Sequence, residues 1–294
     1  MRILIIGNKK SIQTNLIYTE AIKREHIVDI VSKNQVSIKY HGSSISVESI
    51  LSNNFLSYDI YIFRIIKNDF AVTIASYLKL HNKVFIDQDM NLPSIGMKNI
   101  TTVLKNPKFN IPSFILSPQK NDIYNFKYPA VLKDTYGKKG RNAYVVKDQS
   151  ETIKILKDNS GITFMMQEYI KVEKEIRIIF VGDKILNIGM LKINDNKFVK
   201  NIAQGATGMP LRLNKEELKI AKQCMEISSF DIGGIDIVLG SRFTGLKSTD
   251  NRQDYYILEI NRSPIFLEFI KVTGINVPYE IISLAEKRYN YSKN

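Results

Sequence analysis

Near the C-terminal end of the chain, two apolar segments, GGIDIVLG (233–240) and YYILEINRS (255–263), each carry a carboxylate inside what reads as a buried strand. Side chains alternate between the faces of a strand, so Glu259 and Asn261 share one face while Ile260 turns the other way, into the core. If the Asp236 strand pairs alongside, three oxygen-bearing side chains converge. Such a donor set suits a hard cation such as Mg²⁺ bridging triphosphate oxygens. The alternative is that these are ordinary polar positions at strand ends. Their apolar neighbours weigh against it, because an acid in a buried strand is costly unless it is paired or metal-bound.

The rest of the chain reads as mixed α/β followed by α+β. RILIIG (2–7), the helical pattern TNLIYTEAIKREH and IVDIVS (27–32) give strand, helix, strand. DIYIFRII, the amphipathic DFAVTIASYLKLHN and KVFID continue the alternation, so residues 1–88 are expected to form a small doubly wound parallel-sheet domain. Gly7 is not followed by a GxGxxG pattern, and a dinucleotide fingerprint is absent. A central unit over 89–165 opens with a short helix, IGMKNITTVLKN, and contains the strands YPAVLKD and NAYVVKD around the loop TYGKKGR. A last unit over 166–294 holds strands EIRIIFVG, KILNIGML, GGIDIVLG and YYILEINRS, the helix NKEELKIAKQCMEIS, a closing helix and a long surface hairpin at 241–254.

A second chemical signal is VLKDTYGKKGR, where Lys133 ends a buried strand and Gly137 and Gly140 allow backbone N–H groups to approach an anion. Alone, such a loop is as readily a plain turn. The sole cysteine, Cys224, falls on the inward side of its helix and reads as core, and His26, His41 and His81 are all in the N-terminal third, too few and too remote for a Cys/His metal site. The net charge of +13 would attract acidic partners, but the lysines are dispersed and not interleaved with aromatics, so nucleic-acid binding is not expected. No apolar run approaches the roughly 20 residues of a membrane span. The opening MRILIIGNKK enters a strand in place of a cleavable signal, so a cytoplasmic location is expected.

Taken in order, Lys133 with its glycine loop, MQEYI, EIRIIFVGDKI, KFVKNIAQGATG, GGIDIVLG and ILEINRSP resemble the motifs of ATP-grasp ligases, over about residues 90 to 290. Within that superfamily the chain is similar to the RimK-type ribosomal-protein glutamate ligases and the LysX-type carboxylate–amine ligases. The resemblance implies an ATP-grasp fold preceded by the small sheet domain, with ATP and Mg²⁺, or Mn²⁺ in its place, as cofactors. It implies that Lys98 and Lys133 contact ATP phosphates under the glycine loop, that Gln167, Glu168 and Tyr169 line the adenine site, and that Glu175 holds the ribose. It places Arg177 and Asn201 as catalytic groups at the γ-phosphate and acceptor end, Lys200 beside the nucleotide, and Asp236, Glu259 and Asn261 on the metal. Val199 and Asn142 depart from the pattern, where an arginine and a glycine are common.

The implied reaction activates a carboxylate as an acyl phosphate and joins it to an amine. The implied substrates are an acidic amino acid, peptide or carrier protein, bound with help from basic residues such as Arg64, Lys200, Arg212 and Arg262, in a protein that is a dimer or tetramer. A graspetide-type macrocyclase, a small-molecule peptide synthetase and a nucleotide-binding module without turnover are the alternatives.

Overall fold

The structure is a computed structural model that describes residues 1–42, 44–51, 54–65, 68–91, 109–137, 141–193, 207–242 and 253–293. The expected helix at 95–106 and the sites Lys98, Gly140, Lys200 and Asn201, together with Val199, lie outside these residues.

The N-terminal sheet is parallel, with β1 (Arg2–Gly7), β2 (Ile27–Val31), β5 (Ile60–Arg64) and β6 (Val84–Ile86) in the order β2-β1-β5-β6. Continuous apolar strands are what a sheet covered on both faces requires. Ile3, Ile5, Ile60 and Ile62 enter one core under α1 (Ile12–Lys23), while Leu4, Ile6, Tyr61 and Phe63 enter another under α2 (Asp69–Leu80). Ser11 and Asn68 cap the two helices by accepting from Thr14 N and Ala71 N. A hairpin of β3 (Val36–His41) and β4 (Ser44–Ser49), turning at Gly42, is inserted after β2.

The middle sheet is antiparallel: β7 (Phe114–Leu116), β8 (Ala130–Asp134), β9 (Ala143–Val146) and β10 (Phe164–Glu168) lie in the order β7-β10-β8-β9. It packs against α3 (Lys120–Asn125) and α4 (Gln149–Asp158). One residue beyond β10 the chain enters the third sheet, which runs β14-β13-β11-β15-β16, with the short β12 (Lys184–Ile185) on β11. Its strands are β11 (Ile170–Val181), β13 (Ile188–Ile193), β14 (Thr207–Arg212), β15 (Ile232–Arg242) and β16 (Asp254–Arg262). Of the surface hairpin expected at 241–254, residues 243–252 are outside the described set, while Ser241 and Arg242 belong to β15 and Asp254 opens β16, paired with Gly240.

One face of the third sheet, with Ile176, Ile178, Phe180, Ile235 and Ile237, is covered by α5 (Lys215–Ser228). Cys224 is buried there, and burial pushes its thiol up to about 12, as a core cysteine requires. The opposite face is divided along its length. Ile179 and Val181 of β11, Met190 of β13 and Ile232 of β15 join the same core as Ile3 and Ile5, beneath α6 (Leu267–Thr273) and α7 (Val277–Tyr291). The N-terminal sheet and the third sheet therefore share one hydrophobic core, stapled by a charge pair: half-buried Arg288 of α7 grips both carboxylate oxygens of buried Asp231. Asp231 Oδ2 also accepts from Asp87 N at 2.5 Å and Gln88 N at 3.0 Å.

Candidate functional site

Two residues along β11 and β13, and four along β15, the strands that enter the shared core turn from apolar to charged. Ile179 gives way to Arg177 and Glu175, Met190 to Lys192, and Ile232 to Gly234 and Asp236. Strand alternation keeps each series on one face. Register then gathers them, because Arg177 lies opposite Met190 and Asp236, and Glu175 opposite Lys192. On β16 a bulge sets Asp236 across from Glu259 but Ile237 across from Ile257, with Leu258 as the extra residue. The bulge lets Ile257 stay in the α5 core while Glu259 and Asn261 turn toward Asp236.

The result is a compact ionic cluster. Arg177 donates through Nε to Asp236 Oδ1 at 2.5 Å and through Nη2 to Oδ2 at 2.6 Å, a forked pair. Lys192 Nζ lies 3.1 Å from Asp236 Oδ1 and also pairs with Glu175. Asn261 Nδ2 donates to Glu259 Oε1 at 2.9 Å and to Asp236 Oδ2 at 3.3 Å. Burial by itself would raise the Asp236 carboxyl; the two cations outweigh it and hold the group down to about 2. Lys192 and Arg177 are shifted up, because the surrounding acids outweigh their own desolvation.

The three residues expected to hold metal are thus brought together. Among the described residues no group of three His, Cys, Asp or Glu side chains is placed to hold a metal; the trio is two carboxylates and one carboxamide. Its chemistry nevertheless fits a hard divalent cation. Glu259 spends one oxygen on Asn261, and rotating the Asn261 amide exchanges its donor for an oxygen facing the same spot.

The remaining predicted residues fall on the middle sheet and the junction. Lys133, on β8, donates from Nζ to Oε1 of buried Gln167 on β10 at 2.6 Å. Glu168 N donates to Ser113 O at 2.8 Å and its carboxylate accepts from Ser113 N at 3.3 Å, with Arg242 3.8 Å away. Tyr169 is half-buried between β10 and β11. Glu175, expected at the ribose, sits in the ionic cluster against Lys192. At the loop, a Cβ on Gly137 would meet Arg141 O at 2.8 Å, so the turn needs glycine there. Asn142 has φ of +53°, the left-handed backbone that favours glycine, and its amide steadies the turn through Asp134 Oδ2 at 3.2 Å.

Lys192 was not singled out from sequence. KILNIGMLKI reads as a strand, but nothing in its spacing marks the lysine as facing an acid two strands away.

At 21% identity over 219 residues the chain is similar to a probable alpha-L-glutamate ligase of Histophilus somni, covering 73% of this chain and 66% of that protein, so the chain spans just under two thirds of this relative's length. It is 26% identical over 244 residues to the alpha-aminoadipate–LysW ligase LysX of Saccharolobus solfataricus, covering 78% and 84%. Among solved structures, the ATP-grasp ligase PsnB bound to a minimal precursor superposes with a TM-score of 0.73 at 12% identity, covering 99% of each chain, a likeness of fold. No helix among the described residues is long and apolar enough to cross a membrane. The sequence pattern of the RimK-like ATP-grasp domain matches residues 97–285, more than half of the chain and all of the ionic cluster, and the chain belongs to that family.

Proposed function

We propose that the protein is an ATP-dependent carboxylate–amine ligase that forms an amide through an acyl phosphate, releasing ADP and phosphate, and that it adds an amino acid to a peptide or carrier protein. The observation that carries this reading is the convergence of Asp236, Glu259 and Asn261 on one face of the third sheet, flanked by Arg177 and Lys192. ATP and Mg²⁺ are the cofactors; a solved structure of PsnB contains Mg and ADP. Asp236, Glu259 and Asn261 would hold Mg²⁺, which when bound would neutralise charge on the phosphates.

Arg177 already spends Nε and Nη2 on Asp236, so its guanidinium is fixed in orientation and presents Nη1 to an incoming anion. A preoriented cation costs no reorganisation as negative charge develops on the transferring phosphoryl group. Lys133 is held by Gln167 at the end of β8, next to the glycine turn, where it would meet phosphate oxygens from the opposite sheet. Lys98, Lys200, Asn201 and Gly140 are proposed to complete the nucleotide and acceptor sites. Gln167, Glu168 and Tyr169 form the strand-to-strand junction proposed to line the adenine. Glu175 is proposed as the group that links the ribose end to Lys192.

The test is release of ADP in the presence of Mg-ATP when amino acids and acidic peptides are supplied in pairs, followed by mass spectrometry of the product. An adduct that gains one amino acid supports the proposal, and a peptide that only loses water identifies internal ring closure. Nucleotide binding with no acid-dependent ADP release from any pair sinks the ligase reading.

A further inference from the structure

The strand order β2-β1-β5-β6 places a topological switch point between β1 and β5, and open parallel sheets take ligands at the carboxyl edge beside such a point. Gly7 ends β1 there, paired with Arg64, the last residue of β5. A Cβ on Gly7 would come within 3.1 Å of Arg64 Cβ and 3.3 Å of Thr14, so glycine leaves the room in which the arginine is packed.

The Arg64 guanidinium lies over the Phe266 ring, 5.2 Å from its centroid. Its Nη2 reaches Gln13 Oε1 only at 3.4 Å, and that oxygen already accepts from Phe266 N at 2.9 Å. Nε and Nη1 are buried and have no hydrogen-bond partner among the described residues. The nearby acid, Asp87, is occupied elsewhere: Ser263 Oγ donates to Oδ2 at 3.0 Å and Ile232 N to Oδ1 at 3.4 Å. Burial lowers the Arg64 pKa to about 10, which still leaves it charged at neutral pH. A charged guanidinium with two buried, unmet N–H groups is costly to a fold, and a ring face and a nearby carboxylate already engaged elsewhere offset only part of that cost.

Each forked edge of a guanidinium, Nε with Nη2 or Nη1 with Nη2, includes one of the two orphaned nitrogens. A carboxylate fits either edge with two parallel hydrogen bonds. The position is also right for a substrate. Phe266 follows Asn261 by one short turn at the end of β16, so the orphaned cation borders the end of the strand that carries the ionic cluster.

We propose that Arg64 binds a free carboxylate of the substrate, one that is not itself activated, and thereby selects acidic amino acids or acid-bearing peptides. This rests on the ligase reading above, and Gln13 is the residue expected to yield its weak contact as the carboxylate docks.

The experiment is calorimetric titration of the protein, with Mg²⁺ and a non-hydrolysable ATP analogue present, using L-glutamate against L-glutamine and a glutamate-ended tripeptide against its fully amidated form. The expected result is at least about tenfold tighter binding of the carboxylate form in one of the two pairs, about 1.4 kcal/mol. The pair that discriminates tells a free amino acid from a peptide. Arg64→Met should abolish the preference and Arg64→Lys keep part of it, while both keep the rise in Tm produced by Mg-nucleotide. Equal binding of acid and amide to the unmodified protein overturns the proposal, as does a preference that survives in Arg64→Met. Should Arg64→Met fail to fold, the acid–amide comparison on the unmodified protein and Arg64→Lys still decide. Loss of Mg-nucleotide binding by the unmodified protein counts instead against the ligase reading.

Discussion

The molecule buries charge in two neighbouring places, and they are organised differently. Around Asp236 the cations and acids are interleaved: Arg177 and Lys192 both bond Asp236, Lys192 also bonds Glu175, and Asn261 bridges Asp236 and Glu259. At the carboxyl edge of the parallel sheet the pairing is uneven. Arg288 and Asp231 satisfy one another, Asp87 is held by Ser263 and a backbone amide, and Arg64 is left with two unmet nitrogens. A network closed on itself can hold side chains in position before any ligand arrives, whereas an open one stores an unmet demand that a ligand can meet.

The largest effect should come from the closed part of the second cluster. Arg288→Met leaves Asp231 buried with backbone amides alone and is expected to cost about 3–5 kcal/mol in urea unfolding. A loss under about 1 kcal/mol would show that Asp87 N and Gln88 N carry that charge unaided. Next, Glu259→Gln keeps the shape and the bond from Asn261 but removes a negative charge. It should cut acid-dependent ADP release by about 10²–10³-fold, with stability changed by less than about 0.5 kcal/mol. A variant with near-normal turnover would remove Glu259 from the chemistry.

Lys192→Met sharpens the comparison, because it opens the closed network without emptying space. Turnover is expected to fall by about tenfold, less than for Glu259→Gln, since Arg177 still fixes Asp236. The smallest effect belongs to Asp87. Burial first, and Asp231 second, raise its pKa, so in the fold its ionised form is disfavoured. The stability it contributes is present below its ordinary carboxylate range and is lost as pH rises through the raised value. Asp87→Asn should therefore gain in stability on the unmodified protein as pH increases from 4 to 8, by about 1 kcal/mol or less at the upper end, read from urea unfolding at each pH. A gain that is flat or reversed with pH would show that Arg64 and Arg262 already neutralise Asp87.

Much of this arrangement could be read from the sequence because it is periodic. The alternation of Glu259, Ile260 and Asn261 correctly puts the two polar residues on one face, and the buried runs at 2–7 and 60–64 mark a sheet covered on both sides. The hairpin of β3 and β4 was not anticipated, although VSIKYHGSSISVES alternates around a glycine turn. Its apolar residues Val36, Ile38, Tyr40, Ile45 and Val47 do share a face, but most of its side chains are exposed, so little burial backs the alternation. What periodicity could not supply is pairing across strands. Lys192 and Asp236 meet only because β13 and β15 both flank β11, and Asp87, Asp231 and Arg288 are brought together from three distant segments. Arg64 was legible as a basic residue near a cleft; that two of its nitrogens lack partners depends on the packing of Gln13 and Phe266.

One consequence follows from α7 resting on the first sheet, where Ile281, Ile282 and Ala285 join Ile3 and Ile5 in a single core. During synthesis on the ribosome, all four strands of that sheet emerge about 190 residues or more before the helix that roofs them. Until that helix is made, α1 alone covers that face of the newborn sheet, and the part left open, together with Ile179, Val181 and Ile232 of the third sheet, is a surface on which a chaperone can act.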